Sequence, residues 1–408
     1  MSNRRKTALV PKLRFREFQT TEAWKERKIG DFLSESRLPG SKGNVAKKLT
    51  VKLWGNGVFG KSEAILGSVN TQYFQRRSGQ FIYSKLDFLN QAFGIIPPDL
   101  DGFESTVDLP CFDITDGLDP VFLLEYVKRK DFYERLGETA DGSRKARRIH
   151  AETFQSFPFP LPTPPEQQKI ANCLSSLDEL IAAQARKVDA LKTHKKGLMQ
   201  KLFPREGETQ PRLRFPEFRD AGKWQRMTLG QAATFYNGRA YKQEELLESG
   251  KYPVLRVGNF FTNNTWYYSS LELEETKYCE SGDLLYAWSA SFGPRLWRGD
   301  KCIYHYHIWK VVEQVGIDKQ FLFVTLENET ERMKAKTTNG LGIMHITKGA
   351  IESWETAFPT LVEQKKIAGW LINLDNIVSA ETRKLEILAT HKSGLMQQLF
   401  PILDDIPT

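Results

Sequence analysis

The sequence predicts an α+β protein: two globular α/β domains separated by two long helices that pair as an antiparallel coiled coil, built as an internal repeat with a pseudo-twofold axis. Three observations predict it. Glu166 to Pro204, EQQKIANCLSSLDELIAAQARKVDALKTHKKGLMQKLFP, returns as EQKKIAGWLINLDNIVSAETRKLEILATHKSGLMQQLFP at Glu363 to Pro401, identical at 22 of 39 ungapped positions. A lead-in, PKLRFREFQTTEAWKERKIG from Pro11, returns as PRLRFPEFRDAGKWQRMTLG from Pro211. The stretch that follows each lead-in mixes β-type runs with turn-rich segments, and the two stretches hardly match in sequence.

In chain order, residues 1–30 form a basic arm and the first lead-in, whose Leu13, Phe15, Phe18, Trp24 and Gly30 recur as Leu213, Phe215, Phe218, Trp224 and Gly230. Residues 31–160 form the first variable domain. LTVKLW and QFIYSKL read as strands, Leu109 to Asp113 with its proline is a poor candidate for the apolar strand ending in aspartate that would accompany a phosphate loop, and Pro120 to Leu136 reads as one helix with proline in its first turn. The first repeated helix occupies 161–204, a linker and second lead-in 205–230, the second variable domain 231–358, and the second repeated helix with its tail 359–408. In the second domain TWYYSSLEL, DLLYAWSA and KCIYHYHIWKVV read as aromatic strands, and Lys319 to Lys334 as a helix. The second lead-in follows the first helix directly. The first lead-in is therefore expected to take the corresponding place at the end of the second helix, closing the halves into a ring.

Along the first helix Ile170, Leu174, Leu177, Ile181, Val188, Leu191, Leu198 and Leu202 fall on alternating four- and three-residue steps. Ile367, Leu371, Leu374, Val378, Leu385, Leu388, Leu395 and Leu399 repeat them, which is the 3.5-residue period of a coiled-coil seam. The polar seam positions Gln184 and Lys195 correspond to Glu381 and Lys392. An antiparallel pair is expected to bring Gln184 to Lys392 and Lys195 to Glu381.

With 408 residues, 40% of them hydrophobic, the chain has material for substantial cores, and no apolar run approaches membrane-span length. No secretory signal pattern opens it, so a cytoplasmic location is expected. Cys111, Cys173, Cys279 and Cys302 lack metal-type spacing and read as reduced thiols. The net charge of +8 favours an anionic partner.

Gly55-Asn56-Gly57-Val58-Phe59-Gly60-Lys61-Ser62 satisfies the phosphate-loop pattern GxxxxGK[ST], which makes a nucleotide-binding protein one alternative. Its flanks fit poorly, since SEAILG meets Gly67 after about one helical turn, and a glycine-rich surface turn is the preferred reading. His305 and His307 fall on one face of a strand near Cys302, but the spacing matches no standard site and no metal is expected. No GxSxG elbow or HExxH helix appears. DNA binding has more support. The first domain offers Lys47, Lys48, Lys52, Lys61, Tyr73, Gln75, Arg76, Arg77, Arg144, Lys145, Arg147 and Arg148. The second offers Arg256, Asn259, Asn263, Asn264, Trp288, Arg295, Lys301, Lys336, Asn339 and Lys348. Arginine, lysine and amide side chains match guanine and adenine edges, and the remaining cations neutralise phosphates.

The PxLRFxxF lead-ins followed by tryptophan, the PLPTPPEQQKI and FPTLVEQKKI helix starts, and LKTHKKGLMQKLFP with LATHKSGLMQQLFP together resemble the specificity subunit of type I restriction and modification enzymes over essentially the whole chain. The resemblance implies two target recognition domains, each reading half of a bipartite DNA site, in a subunit that performs no catalysis and holds no cofactor. It also implies two modification subunits carrying S-adenosylmethionine and two motor subunits carrying ATP, magnesium and the nuclease. A 37-residue helix of about 55 Å is long enough to set two domains a turn or more of duplex apart. The remaining alternative is a coiled-coil scaffold without DNA specificity.

Overall fold

The computed structural model describes residues 9–62, 67–137, 148–261, 263–289, 292–337 and 346–401. It divides into two compact units, one comprising 1–185 with 383–408, the other 186–382. The predicted helices are present as Pro164–Leu202 and Leu361–Leu399, and the chain passes from unit to unit within each. Each unit thus holds the start of one long helix and the end of the other.

Within both units the two helix segments run antiparallel. In the second unit Lys187 reaches Glu381 while Lys195, further along, reaches Asp375, earlier in its helix. In the first, Lys392 pairs with Asp178, and Leu13, beside Glu166 through Arg14, donates its N–H to the Gln398 carbonyl. Every predicted seam residue is buried or half-buried, as a coiled-coil seam requires. The predicted polar register is not what forms. Lys392 faces Asp178 and Lys195 faces Asp375, the same pair in each repeat, in place of Gln184 and Glu381.

The lead-ins do take corresponding places. Leu13 N–H bonds the Gln398 carbonyl in the first unit, and Leu213 N–H bonds the Lys201 carbonyl in the second, both at 2.9 Å. A short ladder follows each: Lys25–Lys28 pairs antiparallel with Pro158–Leu161, and Gln225–Thr228 with Glu355–Phe358.

The two variable domains share one plan despite their sequences. The first has a four-stranded antiparallel sheet in the order Leu33–Glu35, Cys111–Ile114, Phe81–Tyr83, Phe93–Ile95. The second repeats it as Ala233–Asn237, Ile308–Glu313, Leu284–Ala287, Gly293–Leu296. Cys111–Ile114 is a central strand of its sheet, since Pro110 precedes the strand and costs it no ladder hydrogen bond. The expected helix over Pro120 to Leu136 is two, Pro120–Val127 and Lys130–Gly137. At the break the buried Arg129 guanidinium lies over the Tyr126 and Phe400 rings and ion-pairs with Asp131.

The cores explain why the helix ends repeat as Leu-Phe-Pro. Phe400 is fully buried with its ring 6.2 Å from Trp24 and 5.4 Å from Phe122. Its counterpart Phe203 lies 6.1 Å from Trp224 and 5.6 Å from Phe321. Each long helix ends by driving a phenylalanine between a lead-in tryptophan and a variable-domain helix, a contact whose truncation to alanine costs about 3–5 kcal/mol.

Candidate nucleic-acid interface

The helix starts carry the first layer of the site, the layer that positions the domains. Glu166, buried in the first turn of its helix, accepts from Arg14 Nε and Nη2 at 2.7 Å each and from Trp24 Nε1 at 3.1 Å. Glu363 accepts in the same fork from Arg214 Nε at 2.7 Å and Nη2 at 2.6 Å. A buried carboxylate is tolerable here because a bidentate guanidinium and the positive end of the helix dipole both face it.

The next residue grips the variable domain. Gln167 donates to the Gly117 and Pro162 carbonyls and accepts from Asp119 N–H at 2.8 Å, while Gln364 does the same with Gly316, Pro359 and Asp318. Asp119 and Asp318 in turn cap their helices by accepting from Phe122 N–H and Phe321 N–H.

A third repeated contact ties domain to helices. Lys392 Nζ lies 2.7 Å from Asp178 and 2.8 Å from Glu125; Lys195 Nζ lies 2.6 Å from Asp375 and 3.1 Å from Glu327. Burial works against the charge on both lysines, but the facing carboxylates outweigh it and hold their pKa above the ordinary lysine value. Burial raises Glu327, whereas at Glu125 the same burial is outweighed by Lys128 and Lys392, which hold it low.

In the first unit the phosphate-loop reading fails on geometry. Val58–Gly60, inside the pattern, is a strand paired antiparallel with Leu49–Val51. N–H groups that would surround a phosphate are used elsewhere: Gly55 N–H bonds the Gln91 carbonyl at 2.9 Å, Asn56 N–H the Leu53 carbonyl at 3.4 Å, and Lys61 N–H the Lys48 carbonyl at 2.8 Å. Gly55 and Gly57, with φ of 67° and 86°, serve the turn. Lys52 lies over the exposed Phe59 ring at 4.0 Å, and Lys61 is exposed just past the hairpin.

The remaining predicted residues of this unit sort by burial. Tyr73 and Gln75 lie on the Gln72–Gln75 strand, half-buried, and Lys47 and Arg77 are exposed beside it. Lys48 is only 8% exposed and sits 5.6 Å from the Tyr73 ring centroid, so it supports the sheet from within. Arg76 is 2% exposed, donating to Ser105 Oγ at 2.8 Å and the Ser36 carbonyl at 2.7 Å. That fully engaged guanidinium is a structural group, which corrects its reading as a DNA contact. Arg148 is exposed and pairs with Asp108 at 3.4 Å. Arg144, Lys145, Arg147 and Asn339 lie outside the described residues, as does the side chain of Lys336.

The second unit gathers its candidates more tightly. KCIYHYHIWKVV is not one strand: Cys302–Tyr304 belongs to one sheet and Ile308–Glu313 to another, with His305, Tyr306 and His307 in the turn between. The expected placing of His305 and His307 on one strand face is thereby corrected, and among the described residues no group of His, Cys, Asp and Glu forms a metal site. Three segments meet at this turn. His305 N–H bonds the Leu255 carbonyl at 2.9 Å, Arg239 N–H bonds the Tyr304 carbonyl at 3.0 Å, and Tyr306 N–H bonds the Arg239 carbonyl at 3.0 Å. Only glycine fits beside them, since a Cβ on Gly238 would lie 2.3 Å from the His305 carbonyl oxygen.

Around the turn, Trp288 donates its indole N–H to the Tyr306 carbonyl at 2.8 Å and stands edge-on to His307. Burial, His307 and Arg256 together push His305 down to about 4, so its imidazole is neutral at pH 7. Arg256 lies over the Tyr267 ring at 4.3 Å, with Nε 3.4 Å from Asn259 Oδ1. Asn259 donates to the Asn263 and Thr265 carbonyls, and Arg295 covers the Phe260 and Phe261 rings. Arg256, Asn259, Asn263 and Arg295 are thus neighbours around Val257–Phe261, with Asn264 exposed next to them. Lys301, paired with Glu275, sits at the opposite end of the Cys302–Tyr304 strand, and Lys348 pairs with Glu352 on its own short helix. Arg239, Tyr241, His305, Tyr306 and His307 were not among the sequence candidates yet lie together with Trp288 and Arg256 at this turn; the signal was the HYH run itself, three polar aromatic residues that interrupt a strand.

Comparison with known proteins follows the geometry. The sequence pattern of the type I restriction modification DNA specificity domain matches residues 128–193 and 221–389, more than half of the chain. The type I restriction enzyme MjaVIII specificity subunit of Methanocaldococcus jannaschii is 25% identical over 299 residues, 69% of each chain. The EcoBI specificity subunit of Escherichia coli is 24% identical over 165 residues, 40% of this chain and 35% of that protein. Among solved structures, the S subunit of a type I restriction-modification system from M. genitalium superposes with a TM-score of 0.58 at 17% identity, covering 97% of this chain and all of that one.

Proposed function

Because the chain belongs to the type I restriction-modification DNA specificity family, we propose that its two units each read one half of a bipartite DNA site, and that the chain directs catalysis without performing it. One observation carries the reading: the same buried contacts through Glu166 or Glu363, Gln167 or Gln364, and Lys392 or Lys195 hold two domains of one plan whose exposed loops differ. A scaffold repeated around unlike surfaces suits an asymmetric target. In the second unit the reading surface is the Tyr304–His307 turn with Arg256 and Asn259, where neutral imidazole, guanidinium and amide groups offer the donors and acceptors that base edges require.

Docking of modification and motor subunits, which would carry S-adenosylmethionine and ATP, is supported by apolar spots that recur in the repeat. Leu13 and Leu213 on the lead-ins are 40% and 41% exposed, and Leu180 and Ile377 on the helices are 47% and 43% exposed. The recurrence of the same exposed apolar positions in both copies is what supports contact surfaces there. Among the described residues no helix is long and apolar enough to cross a membrane, in keeping with action in the cytoplasm.

The test is a domain exchange. Replacing residues 231–358 with the corresponding segment of another family member should change only one half of the methylated sequence read from a genome carrying the protein with its modification partner. Change in both halves, or in neither, overturns the assignment.

A further inference from the structure

We propose that the groove between the end of the first long helix and the Lys319–Thr337 helix is a seat for the phosphate backbone of DNA, separate from the base-reading turn of the same unit. The groove has a volume of about 890 Å³ and lies wholly within the second unit. Its carboxylates are already matched: Glu327 faces Lys195 and Glu331 pairs with Lys334 at 2.9 Å. Lys192, Lys196, Arg205 and Arg212 remain, all exposed and none with a carboxylate partner among the described residues. Four unmatched cations around one depression repel one another, and an anion entering it relieves that repulsion.

The repeat supplies an internal control. The corresponding cavity of the first unit, about 610 Å³, is lined by Lys12, Ser393, Met396 and Gln397 where the second has Arg212, Lys196, Met199 and Gln200. Lys192 corresponds to Ala389. The same helix therefore folds and packs with alanine and serine at these two places, so the lysines are not there for the scaffold. They stand four residues apart, about 6 Å along the helix axis, close to the through-space separation of neighbouring phosphates on one DNA strand.

A phosphate chain fits better than a protein partner. Of the large apolar side chains in the lining, Phe203 and Phe292 are 3% and 5% exposed, while Met199 is half-buried and Phe261 half-buried under Arg295, so a protein ligand would find charges with few of the apolar anchors that dominate protein interfaces. A polyanion needs only the cations.

The inference rests on the DNA-reading function, and the experiment separates the two. Binding of a labelled duplex of random sequence to the full chain is measured from roughly 50 to 200 mM salt. Lys192→Ala with Lys196→Ser, the residues the repeat itself uses, should lower the slope of log affinity against log salt by about 1.8, at 0.9 per lost phosphate contact. Near 0.1 M salt that slope change corresponds to on the order of 60-fold weaker binding. Arg205→Gln with Arg212→Gln, away from the helix, should do the same, and neither pair should alter the methylated sequence. An unchanged slope in both double variants overturns the groove while leaving the DNA function standing. Absence of salt-dependent duplex binding by the unaltered chain overturns both. Free ATP or pyrophosphate binding that the variants lose, with the duplex slope intact, would assign the groove to a small phosphate ligand and overturn the backbone seat.

Discussion

Replacing Lys392 with alanine should loosen the first recognition domain from its helices and leave the second unaffected. The lysine side chain is 13% exposed and faces Glu125, at 3%, and Asp178, at 49%. Removing one member of a buried ion pair costs about 3–5 kcal/mol because the other charge is left without compensation. Two features reduce that figure. Lys128 still holds Glu125 at 2.8 Å, and Asp178 is hydrated. A loss of about 2–3 kcal/mol remains, which is a roughly 30- to 150-fold acceleration of hydrogen exchange where opening limits it. The amides to follow are those of Pro120–Val127, with Lys319–Thr337 as the internal control. Lys195→Ala should give the mirror image. Adding Glu125→Gln to Lys392→Met should recover most of the loss, since the buried charge is then gone together with its partner. Unchanged exchange in Pro120–Val127, or a double variant no better than the single one, would refute the clamp.

Two further outcomes follow from buried polar groups. Arg76→Ala should destabilise the first unit by about 3 kcal/mol, measured by denaturant unfolding, because Ser105 Oγ and the Ser36 carbonyl lose their buried donor; a loss of DNA affinity without a loss of stability would contradict its structural role. His305, held near 4 against an ordinary 6.5, binds its proton less readily folded than unfolded. Its contribution is therefore full above pH 6.5, declines below that, and is gone once pH has fallen through about 4; because the ring is only half-buried, solvent screening reduces that span to about 1–2 kcal/mol. Unfolding curves of the second unit should show this dependence and lose it in His305→Gln.

Legibility in the sequence followed the range of the interactions. The coiled-coil period, the helix ends and the internal repeat were readable because each is a local pattern or a comparison of the chain with itself. The helix register was not. Lys195 meets Asp375, six residues from the Glu381 expected, because a third element, the recognition-domain helix bearing Glu327, sets the lysine's partner. A seam read from two helices alone omits that element. KCIYHYHIWKVV kept a strand's alternation through His305 to His307, yet the chain changes sheets there, which period-two patterning does not encode. Arg76 looked like a surface cation because burial of a guanidinium depends on carbonyls from Ser36 and on Ser105, distant in sequence. The phosphate-loop pattern was undone by pairing of Val58–Gly60 with Leu49–Val51, a strand partner lying just before the motif.

The repeated residues are those whose partners lie on the scaffold or at its junction with a domain: Arg14 and Arg214, Glu166 and Glu363, Gln167 and Gln364, Lys392 and Lys195, Phe400 and Phe203. On the domain side these contacts need a capping aspartate, a glycine carbonyl, one glutamate and one phenylalanine, supplied by Asp119, Gly117, Glu125 and Phe122 or by Asp318, Gly316, Glu327 and Phe321. None of them uses the Tyr304–His307 turn, the Val257–Phe261 helix or the Leu49–Gly60 hairpin. The loops that differ between the domains thus carry little of the energy that attaches them. A domain that keeps those junction residues should dock on the scaffold whatever its loops contain, so that attachment and the loop surfaces are decoupled physically.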